Sequence, residues 1–308
     1  MKKITIFLVF GFLVFFTDVS AQQDPHYTQY MYNMNVVNPA YAGSRGTLSL
    51  GMLGRMQWLN IDGAPRTYTF DVHAPLGKKV GVGISVIADE IGPIKEQNIF
   101  ADLSYTIQTS DVGRLAFGLK GGISLQSLNG NLIPPDDSDD DLLEPFNNTY
   151  PNFGAGVYYY TEKFYVGASV PNILSSKHYD IDKTSGVFAE ASEEAHYFLT
   201  SGYVFDLSSN LKFKPSVMLR GVIGSPLSYD VNANFLLYDR FELGASYRNG
   251  SSVSGLFNIG VTPDFRIGYA IDFAIGDLSN LNPGTSHELM LLYDIDFSKK
   301  NLKSPRFF

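Results

Sequence analysis

From residue 46 onward, apolar and polar side chains alternate with a period of two along nearly the whole chain. In one such segment, the apolar Tyr68 and Phe70 stand on either side of the polar Thr69. Successive side chains of a β-strand point to opposite faces, so each of these segments is predicted to be a strand with one apolar and one polar face. After the N-terminus, no unbroken apolar stretch approaches the roughly 18 residues that a membrane-spanning helix requires.

Fourteen segments follow this alternation. They cover residues 46–59, 66–75, 79–89, 97–109, 114–127, 151–160, 164–171, 195–205, 211–223, 228–237, 241–248, 252–262, 265–276 and 285–297. Most of them reach the roughly nine to eleven residues with which a tilted strand crosses a bilayer. The segments at 164–171 and 241–248 are short.

The links between these segments differ in length according to their order. After every second strand the link is brief; these links are residues 75–78, 110–113, 161–163, 206–210, 238–240 and 263–264. The intervening links vary and include the two longest, near residues 128–150 and 172–194. Outer-membrane barrels have tight periplasmic turns and longer external loops, and an even strand number leaves both termini in the periplasm. We therefore predict an all-β fold, a transmembrane antiparallel up-and-down β-barrel of about 14 strands.

Aromatic residues lie near the ends of the predicted strands. They are Trp58, Tyr158, Tyr159, Tyr160, Phe164, Tyr238, Phe241 and Tyr247. Tyr and Trp favour the level of the lipid headgroups, where the ring lies in apolar surroundings and the polar tip in water. Only 18% of the residues are charged, against about a quarter in soluble domains, which also favours a membrane barrel. Ordinary aromatic packing in a soluble β-sandwich is the alternative.

The N-terminus has the three parts of a secretory signal peptide. Lys2 and Lys3 give a positive start, residues 4–16 form an apolar core, and small residues up to Ala21 offer a cleavage site. Cleavage there would export the chain and leave Gln22 as the first residue of an outer-membrane protein. A retained membrane anchor is the alternative, although the apolar core is shorter than a spanning helix.

Composition excludes several classes of chemistry. The chain contains no cysteine, so lipoprotein acylation, disulfides, thiol catalysis and cysteine metal sites are all excluded. The formal net charge is −8, and there is no basic patch that would neutralise phosphates. We therefore expect no nucleic-acid partner.

A search for catalytic residues gives almost nothing. The five histidines are His26, His73, His178, His196 and His287. None has the spacing of a metalloprotease motif, and none lies beside a nucleophile of the G-x-S-x-G type. His73 alternates with Asp71 on the polar face of its strand, so we interpret it as lining the lumen, with a proton relay or ligand role as the alternative. We predict no enzyme and no cofactor; an outer-membrane lipase is the rival that lacks a motif.

A dense acidic stretch lies in one of the two longest loops. Its carboxylates are Asp136, Asp137, Asp139, Asp140 and Asp141. Carboxylate oxygens are ligands for Ca²⁺, but the spacing does not match an EF-hand, because the sixth position lacks Gly and the twelfth lacks Glu. A solvated acidic loop is our main interpretation, and metal or partner binding is the alternative.

Charged residues on the predicted lumen face have mixed signs. They are Arg55, Asp71, Asp102, Arg114, Lys120, Lys212, Lys214, Arg220, Asp230, Glu242 and Arg248. An ion-selective channel would have one dominant sign. Mixed signs instead indicate a lumen that is partly closed by internal ion pairs or filled by a plug segment.

Residues 22–45, before the first strand, break the alternation. Tyr27, Tyr30, Met31, Met34 and Val37 recur at steps of three and four residues, which predicts one short amphipathic helix. Proline at position 39 should end that helix, because the residue before a proline avoids helical angles. A segment placed here would emerge at the periplasmic mouth, where it either enters the lumen as a plug or docks on a periplasmic partner. A mobile leader is the third alternative.

Two stretches of this segment carry a resemblance to a known family. They are Asp24-Pro25-His26-Tyr27-Thr28-Gln29-Tyr30-Met31 and Asn38-Pro39-Ala40-Tyr41-Ala42-Gly43. They resemble the N-terminal signature of the PorP/SprF family, outer-membrane proteins of the Bacteroidetes type IX secretion system. Further similarities are Arg55, Gln57 and Trp58, the turn at Ser169-Val170-Pro171-Asn172, and the closing Ser304-Pro305-Arg306-Phe307-Phe308. We interpret ten signature residues as structural: Asp24, Pro25, Tyr27, Gln29, Tyr30, Asn38, Pro39, Ala40, Tyr41 and Gly43.

The resemblance implies a function that the alternation cannot give. It implies a barrel that helps to export a large surface adhesin carrying a type B C-terminal domain and holds it at the cell surface, in gliding bacteria among others. Its partners would be that adhesin and type IX secretion components of the outer membrane and periplasm. The rival is an outer-membrane channel for small solutes, including hydrophobic ones. On this reading the chain divides into a leader (1–21), a plug or periplasmic segment (22–45), a barrel (46–297) and a tail (298–308).

Overall fold

A computed structural model describes residues 26–128, 147–174 and 195–297. The predicted leader, the signature residues Asp24 and Pro25, the acidic stretch at 136–141 and the tail at 298–308 lie outside the described residues. The predicted long links, near 128–150 and 172–194, lie mostly outside them as well.

The described residues form fifteen β-strands in one antiparallel sheet. They are β1 (Leu48–Met56), β2 (Arg66–Leu76), β3 (Val80–Ile91), β4 (Ile94–Gln108), β5 (Arg114–Leu128), β6 (Asn147–Tyr160), β7 (Phe164–Val170), β8 (His196–Tyr203), β9 (Phe205–Ser208), β10 (Leu211–Val222), β11 (Ser228–Leu237), β12 (Phe241–Arg248), β13 (Ser252–Gly260), β14 (Phe265–Ala274) and β15 (Thr285–Ile295). Strand β15 pairs with β1, and β10 pairs with β11, so the sheet closes on itself. Strands β8 and β9 both pair with β10 and share one position in the wall. The predicted fold class, a closed barrel of fourteen strands, is confirmed.

One predicted strand, residues 195–205, is interrupted. It is divided at Val204 into β8 and β9, and its second part continues to Ser208, so the predicted link at 206–210 is too long. Pro215 lies on β10 beside this point and has no N–H to donate to a ladder. On the other side, the backbone N–H of Val204 donates to the carbonyl of Lys163, next to the ladder between β7 and β8, at 2.9 Å.

The inner end of the barrel is the end where β1 begins and β15 ends, and it carries the short links. Each of these links has at most five residues in the structure, as the sequence predicted. The opposite, outer end is less regular, because the link between β3 and β4 contains only residues 92–93. There, Gly92 adopts a left-handed φ of 55°, which glycine allows at little cost.

Strands β4, β5 and β6 extend further toward the outer end than predicted. The predicted ranges 97–109 and 151–160 begin too late, because β4 starts at Ile94 and β6 at Asn147. Asn and Pro are poor strand formers, so residues 147–151 do not look like a strand in isolation. Pairing with β5, from Ser127 opposite Asn147 onward, makes them one.

The wall separates its two faces as the alternation predicted. On β4 and β5, Leu103 lies opposite Leu119, and Asp102 lies opposite Lys120. The two leucines face outward and are 54% and 65% exposed, whereas Asp102 and Lys120 face the lumen and are 4% and 3% exposed. The outer surface is therefore apolar, and the inner surface carries the charges.

The segment before β1 is not the single helix that we predicted. It forms a 3₁₀ turn (Tyr30–Tyr32), a four-residue helix α1 (Met34–Val37) and a second 3₁₀ turn (Pro39–Tyr41). An amphipathic helix has one apolar side, but this segment is buried on all sides by the wall, and wall side chains bind its backbone groups. No helix among the described residues has the length and apolar character needed to span a bilayer.

The outward face leads to a prediction about depth in the membrane. Leu103 lies in the middle of the apolar positions of β4, whereas Val112 lies in the inner turn between β4 and β5. An arginine costs a barrel about 2–4 kcal/mol at the bilayer midplane and about 0–1 kcal/mol near the interface. Unfolding by urea in phospholipid vesicles should therefore show a large loss of stability for Leu103→Arg and little loss for Val112→Arg. Equal losses would contradict the assigned depth.

Candidate functional site

The N-terminal segment, residues 26–45, crosses the lumen from its outer end to its inner end. The carbonyl of Tyr27 accepts a hydrogen bond from Arg248, the last residue of β12 at the outer end, at 3.3 Å. The amide of Gly43 donates to Nδ1 of His73, near the inner end of β2, at 3.2 Å. Nearly all residues between these two points are buried. The amino end of the segment therefore lies in the outer half of the lumen, and its carboxyl end leads into β1.

The outer part of the segment is held by an anchor cluster of Arg55, Asp272 and Glu288. The amides of Thr28 and Gln29 donate to the Glu288 carboxylate at 2.9 and 2.7 Å. The Thr28 hydroxyl lies 2.9 Å from both oxygens of Asp272. Arg55 joins the two acids, at 2.6 Å from Asp272 and 3.1 Å from Glu288. Each charge of this buried cluster thus has an opposite partner, without which it would be strongly destabilising.

Two members of the anchor cluster, Asp272 and Glu288, were missed by the sequence analysis. Both stand on the lumen side of their strands, where they alternate with the outward-facing Phe273 and Leu289. The alternation therefore indicated that both residues face the lumen. It could not predict that side chains from β1, β14 and β15 meet at one point, because that depends on closure of the barrel.

A second group of polar contacts surrounds the start of the segment. Arg248 forms an ion pair with Asp230 in which both N···O distances are 2.9 Å, and Asn232 donates to the Tyr30 hydroxyl at 3.2 Å. Burial, with the positive charges of Arg220 and Arg248, lowers the pKa of His26 well below its ordinary value.

Tyr32 reaches down from the segment toward the inner end of the barrel. Its hydroxyl donates to the carboxylate of Glu242, which also pairs with Arg266 at 2.9 Å. The ammonium group of Lys214 lies over the Tyr32 ring, 4.8 Å from its centre. Such a contact between a cation and an aromatic face is more favourable in a desolvated position like this one.

On the opposite wall, Lys120 and Asp102 bind the helix of the segment. Lys120 donates to the carbonyls of Asn35 and Val36 at 3.4 and 3.1 Å, and it pairs with Asp102 at 3.3 Å. The side-chain amide of Asn35 donates to Asp102 at 3.1 Å. A buried lysine thus satisfies two carbonyls near the end of a helix that is too short to satisfy them itself.

Three inward-facing glycines, Gly81, Gly118 and Gly156, form a floor under residues 38–42. A Cβ added to Gly118 would lie 2.1 Å from the Ala40 nitrogen, and one on Gly81 would lie 2.1 Å from the Ala42 oxygen. A Cβ on Gly156 would lie 2.1 Å from the side-chain oxygen of Asn38. Glycine is therefore needed at Gly81 and Gly118 because the backbone of the segment occupies the space of a side chain, and at Gly156 because the side chain of Asn38 does.

The signature residues on this floor have local structural roles. The side-chain oxygen of Asn38 accepts a hydrogen bond from the amide of Ala40 at 2.9 Å, and its NH₂ group donates to the Val157 carbonyl. Pro39 begins the 3₁₀ turn, where its missing N–H is not needed. Gly43 has a φ of 73°, a conformation that favours glycine. At the inner end, Arg45 forms an ion pair with Asp294 at 2.5 Å.

The structure places most of the predicted lumen charges in these contacts, but not all. Arg114 is exposed at the inner end, and Lys212, also near the inner end, pairs with Asp239. Asp71 and His73 are buried beside a small cavity that Asn35 also lines.

Metal-ligating side chains do not cluster in the part of the chain that the structure describes. It contains no group of three His, Cys, Asp or Glu side chains placed to hold a metal ion. His287 faces outward, and its ring forms hydrogen bonds with the hydroxyls of Tyr269 and Thr285. The acidic stretch at 136–141, for which Ca²⁺ binding was an alternative, lies outside the described residues.

The glycine floor leads to a prediction with a matched control. Gly118→Ala should destabilise the folded barrel by about 1–3 kcal/mol, the usual cost of overpacking, because the segment has no room to yield. Gly255→Ala changes a strand glycine whose added Cβ would have no neighbour closer than 3.9 Å. Thermal unfolding in detergent should separate the two variants, with Gly255→Ala close to the unchanged protein. A similar midpoint for both variants would contradict the close packing of the segment on the floor.

Several solved structures that are similar to this chain are bacterial outer-membrane barrels, at low sequence identity. Omp33 of Acinetobacter baumannii is 11% identical, with a TM-score of 0.47, over 82% of this chain and 100% of that one. The toluene transporter TodX of Pseudomonas putida is 11% identical, with a TM-score of 0.47, over 86% and 94%. A FadL homologue of Pseudomonas aeruginosa is 12% identical, with a TM-score of 0.46, over 89% and 95%. No curated protein matches the sequence.

A family model matches the chain over residues 19–293, which includes the segment in the lumen and nearly the whole barrel. That family is described as the type IX secretion system membrane protein PorP/SprF. With this match and its closed barrel, the chain is an outer-membrane protein that belongs to the PorP/SprF family.

Proposed function

We propose that this protein helps to export a large surface adhesin with a type B C-terminal domain and then holds that adhesin at the cell surface. The match to the PorP/SprF family model over residues 19–293 is the observation that carries the proposal. Association with other type IX secretion components follows from the family. The adhesin partner and a role in gliding go beyond the family match and belong to the proposal.

The filled lumen supports a holding role over a continuously open passage. Charges on neighbouring strands of the wall pair with one another and also bind the segment, as Arg55 and Glu288 do on β1 and β15 and Lys120 and Asp102 do on β5 and β4. A barrel stabilised from within in this way is a rigid scaffold. Rigid scaffolds position binding loops more accurately than mobile ones do.

The outer end is the proposed contact surface for the adhesin. Strands β4 to β6 have 15, 15 and 14 residues, whereas β7 has seven, so the wall is taller on one side. The long link after β5 continues from this taller side, and the long link after β7 begins beside it. We propose that these links, near residues 128–150 and 172–194, contact the adhesin. A solvated acidic loop stays the main interpretation of Asp136, Asp137, Asp139, Asp140 and Asp141, and Ca²⁺ binding stays its alternative.

The proposed roles of the two ends of the chain rest on the sequence analysis. The leader, residues 1–21, would be cleaved after Ala21 in export, and residues 22–45 would then be the plug. The barrel would run from 46 to 297 and the tail from 298 to 308. No catalytic role is proposed, since the family is one of secretion membrane proteins.

Deletion of residues 130–146 tests the proposed contact. This deletion removes the link after β5 but leaves β6 intact from Asn147. In the native host, it should release the adhesin into the medium, because a main contact is lost while the barrel stays folded. Mass spectrometry of the medium and of the cell-surface fraction would measure the release. Heat-modifiable migration on a gel would show that the barrel is intact.

A control for that experiment is deletion of residues 277–281 from the link between β14 and β15. This link also lies at the outer end, and its 3₁₀ turn (Gly276–Leu281) has no buried residues. The control variant should keep the adhesin on the cells. Retention by both variants would remove the link after β5 from the proposal.

The second candidate function is a channel for small solutes, including hydrophobic ones, and the polar lining of the lumen is the observation in its favour. The purified full chain in planar bilayers should show little steady ion flow, because residues 26–45 fill the lumen. Single-channel recording measures this directly. Steady flow that a solute blocks would favour the channel over the holding role.

A further inference from the structure

We infer that the lumen wall is a peptide-binding site, that the chain's own residues 26–43 occupy it as a detachable ligand, and that their release opens a passage for ions. The inference goes beyond the proposed function, because it does not depend on any secreted partner. The peptide class that fits this site has two free backbone amides at one end and a compact Asn-Pro-Ala turn at the other.

The contacts between segment and wall are those of a receptor and a peptide. Glu288 accepts two successive backbone amides, from Thr28 and Gln29, and Lys120 donates to two successive carbonyls, from Asn35 and Val36. Ser169 and Ser104 donate to two further segment carbonyls, those of Val37 and Ala42, at 2.9 and 2.7 Å. Side chains of the wall thus bind the segment's backbone, whereas neighbouring strands of the wall pair through backbone ladders.

The wall is complete without the segment. Every described strand pairs with its neighbours, and the ring closes between β15 and β1 and between β10 and β11. The segment contributes no strand to this ring. Its departure would therefore leave all the backbone ladders in place and expose polar side chains on the inner surface, which water can solvate.

The segment is covalently connected to the wall only at its carboxyl end, where it leads into β1. Gly43 and Gly46 both have positive φ, and a Cβ on Gly46 would meet no atom within 4 Å. The segment is thus tied to β1 by a short glycine-containing link at the inner end. Its other end rests on Arg55, Asp272 and Glu288. Release at the outer end would let the segment leave toward the periplasm.

The absence of cysteine from the sequence allows a clean test with an introduced disulfide. A Cβ on Gly156 would lie 3.0 Å from Asn38 Cγ, near where the sulfur of an Asn38→Cys substitution would lie. This close approach suits a disulfide between the substitutions Asn38→Cys and Gly156→Cys. The oxidised pair would tether the segment to β6, and a reductant would free it within the same folded protein.

In the chain with the cysteine pair, a further change then weakens the outer end of the segment and leaves the wall residues that bind it, Asp272 and Glu288, unchanged. Thr28→Pro removes both the amide that binds Glu288 and the hydroxyl that binds Asp272. Thr28→Ser keeps both groups and is the matched control. Thr28→Ala, which removes only the hydroxyl, replaces Thr28→Pro if the proline variant does not fold. All three changes are made in the full chain that carries the cysteine pair.

Ion conductance in planar phospholipid bilayers is the measurement. All variants should be closed when oxidised. After reduction, the open fraction of the Thr28→Pro protein should exceed that of the Thr28→Ser protein by about tenfold, since hydrogen bonds to a charged group are lost. A synthetic peptide of residues 22–45 should lower the conductance of the reduced Thr28→Pro protein, whereas a scrambled peptide should not.

Three outcomes would overturn the inference. Equal, low conductance before and after reduction would mean that the segment does not detach. Equal, high conductance in both states would mean that the segment does not fill the passage. Failure of the synthetic peptide to lower an open conductance would mean that the wall is not a peptide site. None of these outcomes bears on the adhesin, so the proposed function stands or falls separately.

Discussion

Backbone amides cannot face hydrocarbon without a partner, and closure of the sheet is what meets this requirement here. Strand β1 pairs with β15 along its whole length, from Leu48 opposite Ile295 to Met56 opposite His287, and β10 pairs with β11 in the same way. A closed ring has no free edge in the membrane, so every strand can place its apolar side chains outward. The same closure forces every second side chain inward. The polar and charged side chains of the interior therefore need hydrogen-bond and ion-pair partners that lipid cannot supply.

The chain meets that second requirement with its own N-terminal segment. Buried charges are tolerated when they have opposite charges and hydrogen-bond partners, and Arg55 has both in Asp272 and Glu288. The segment supplies the remaining partners, and glycines on β3, β5 and β6 give it room. The signature residues of the family thus have physical reasons in this chain. Asn38 shapes the turn over the floor, and Pro39 begins that turn.

The sequence could predict the strands because two environments alternate along each of them. It could not predict what depends on pairing between distant strands. The division at Val204 lies beside Pro215 on the neighbouring strand, and residues 147–151 form a strand by pairing with β5. The segment was predicted as one helix because its apolar spacing is helical, yet wall side chains such as Lys120 bind its carbonyls and break it into turns. The sequence analysis predicted one member of the anchor cluster, Arg55, as inward-facing. It missed Asp272 and Glu288, although their strands have the same alternation.

Folding of the mature chain with and without an apolar phase tests the central claim most directly. Residues 22–308 would be produced without the leader, unfolded in urea and diluted either into plain buffer or into buffer with phospholipid vesicles. Circular dichroism and gel mobility before and after heating would report the folded barrel. The account predicts β-sheet and heat-dependent mobility only with vesicles, and aggregation in plain buffer. A folded, monomeric protein in plain buffer would contradict it, because the outward leucines and aromatics would then not need lipid.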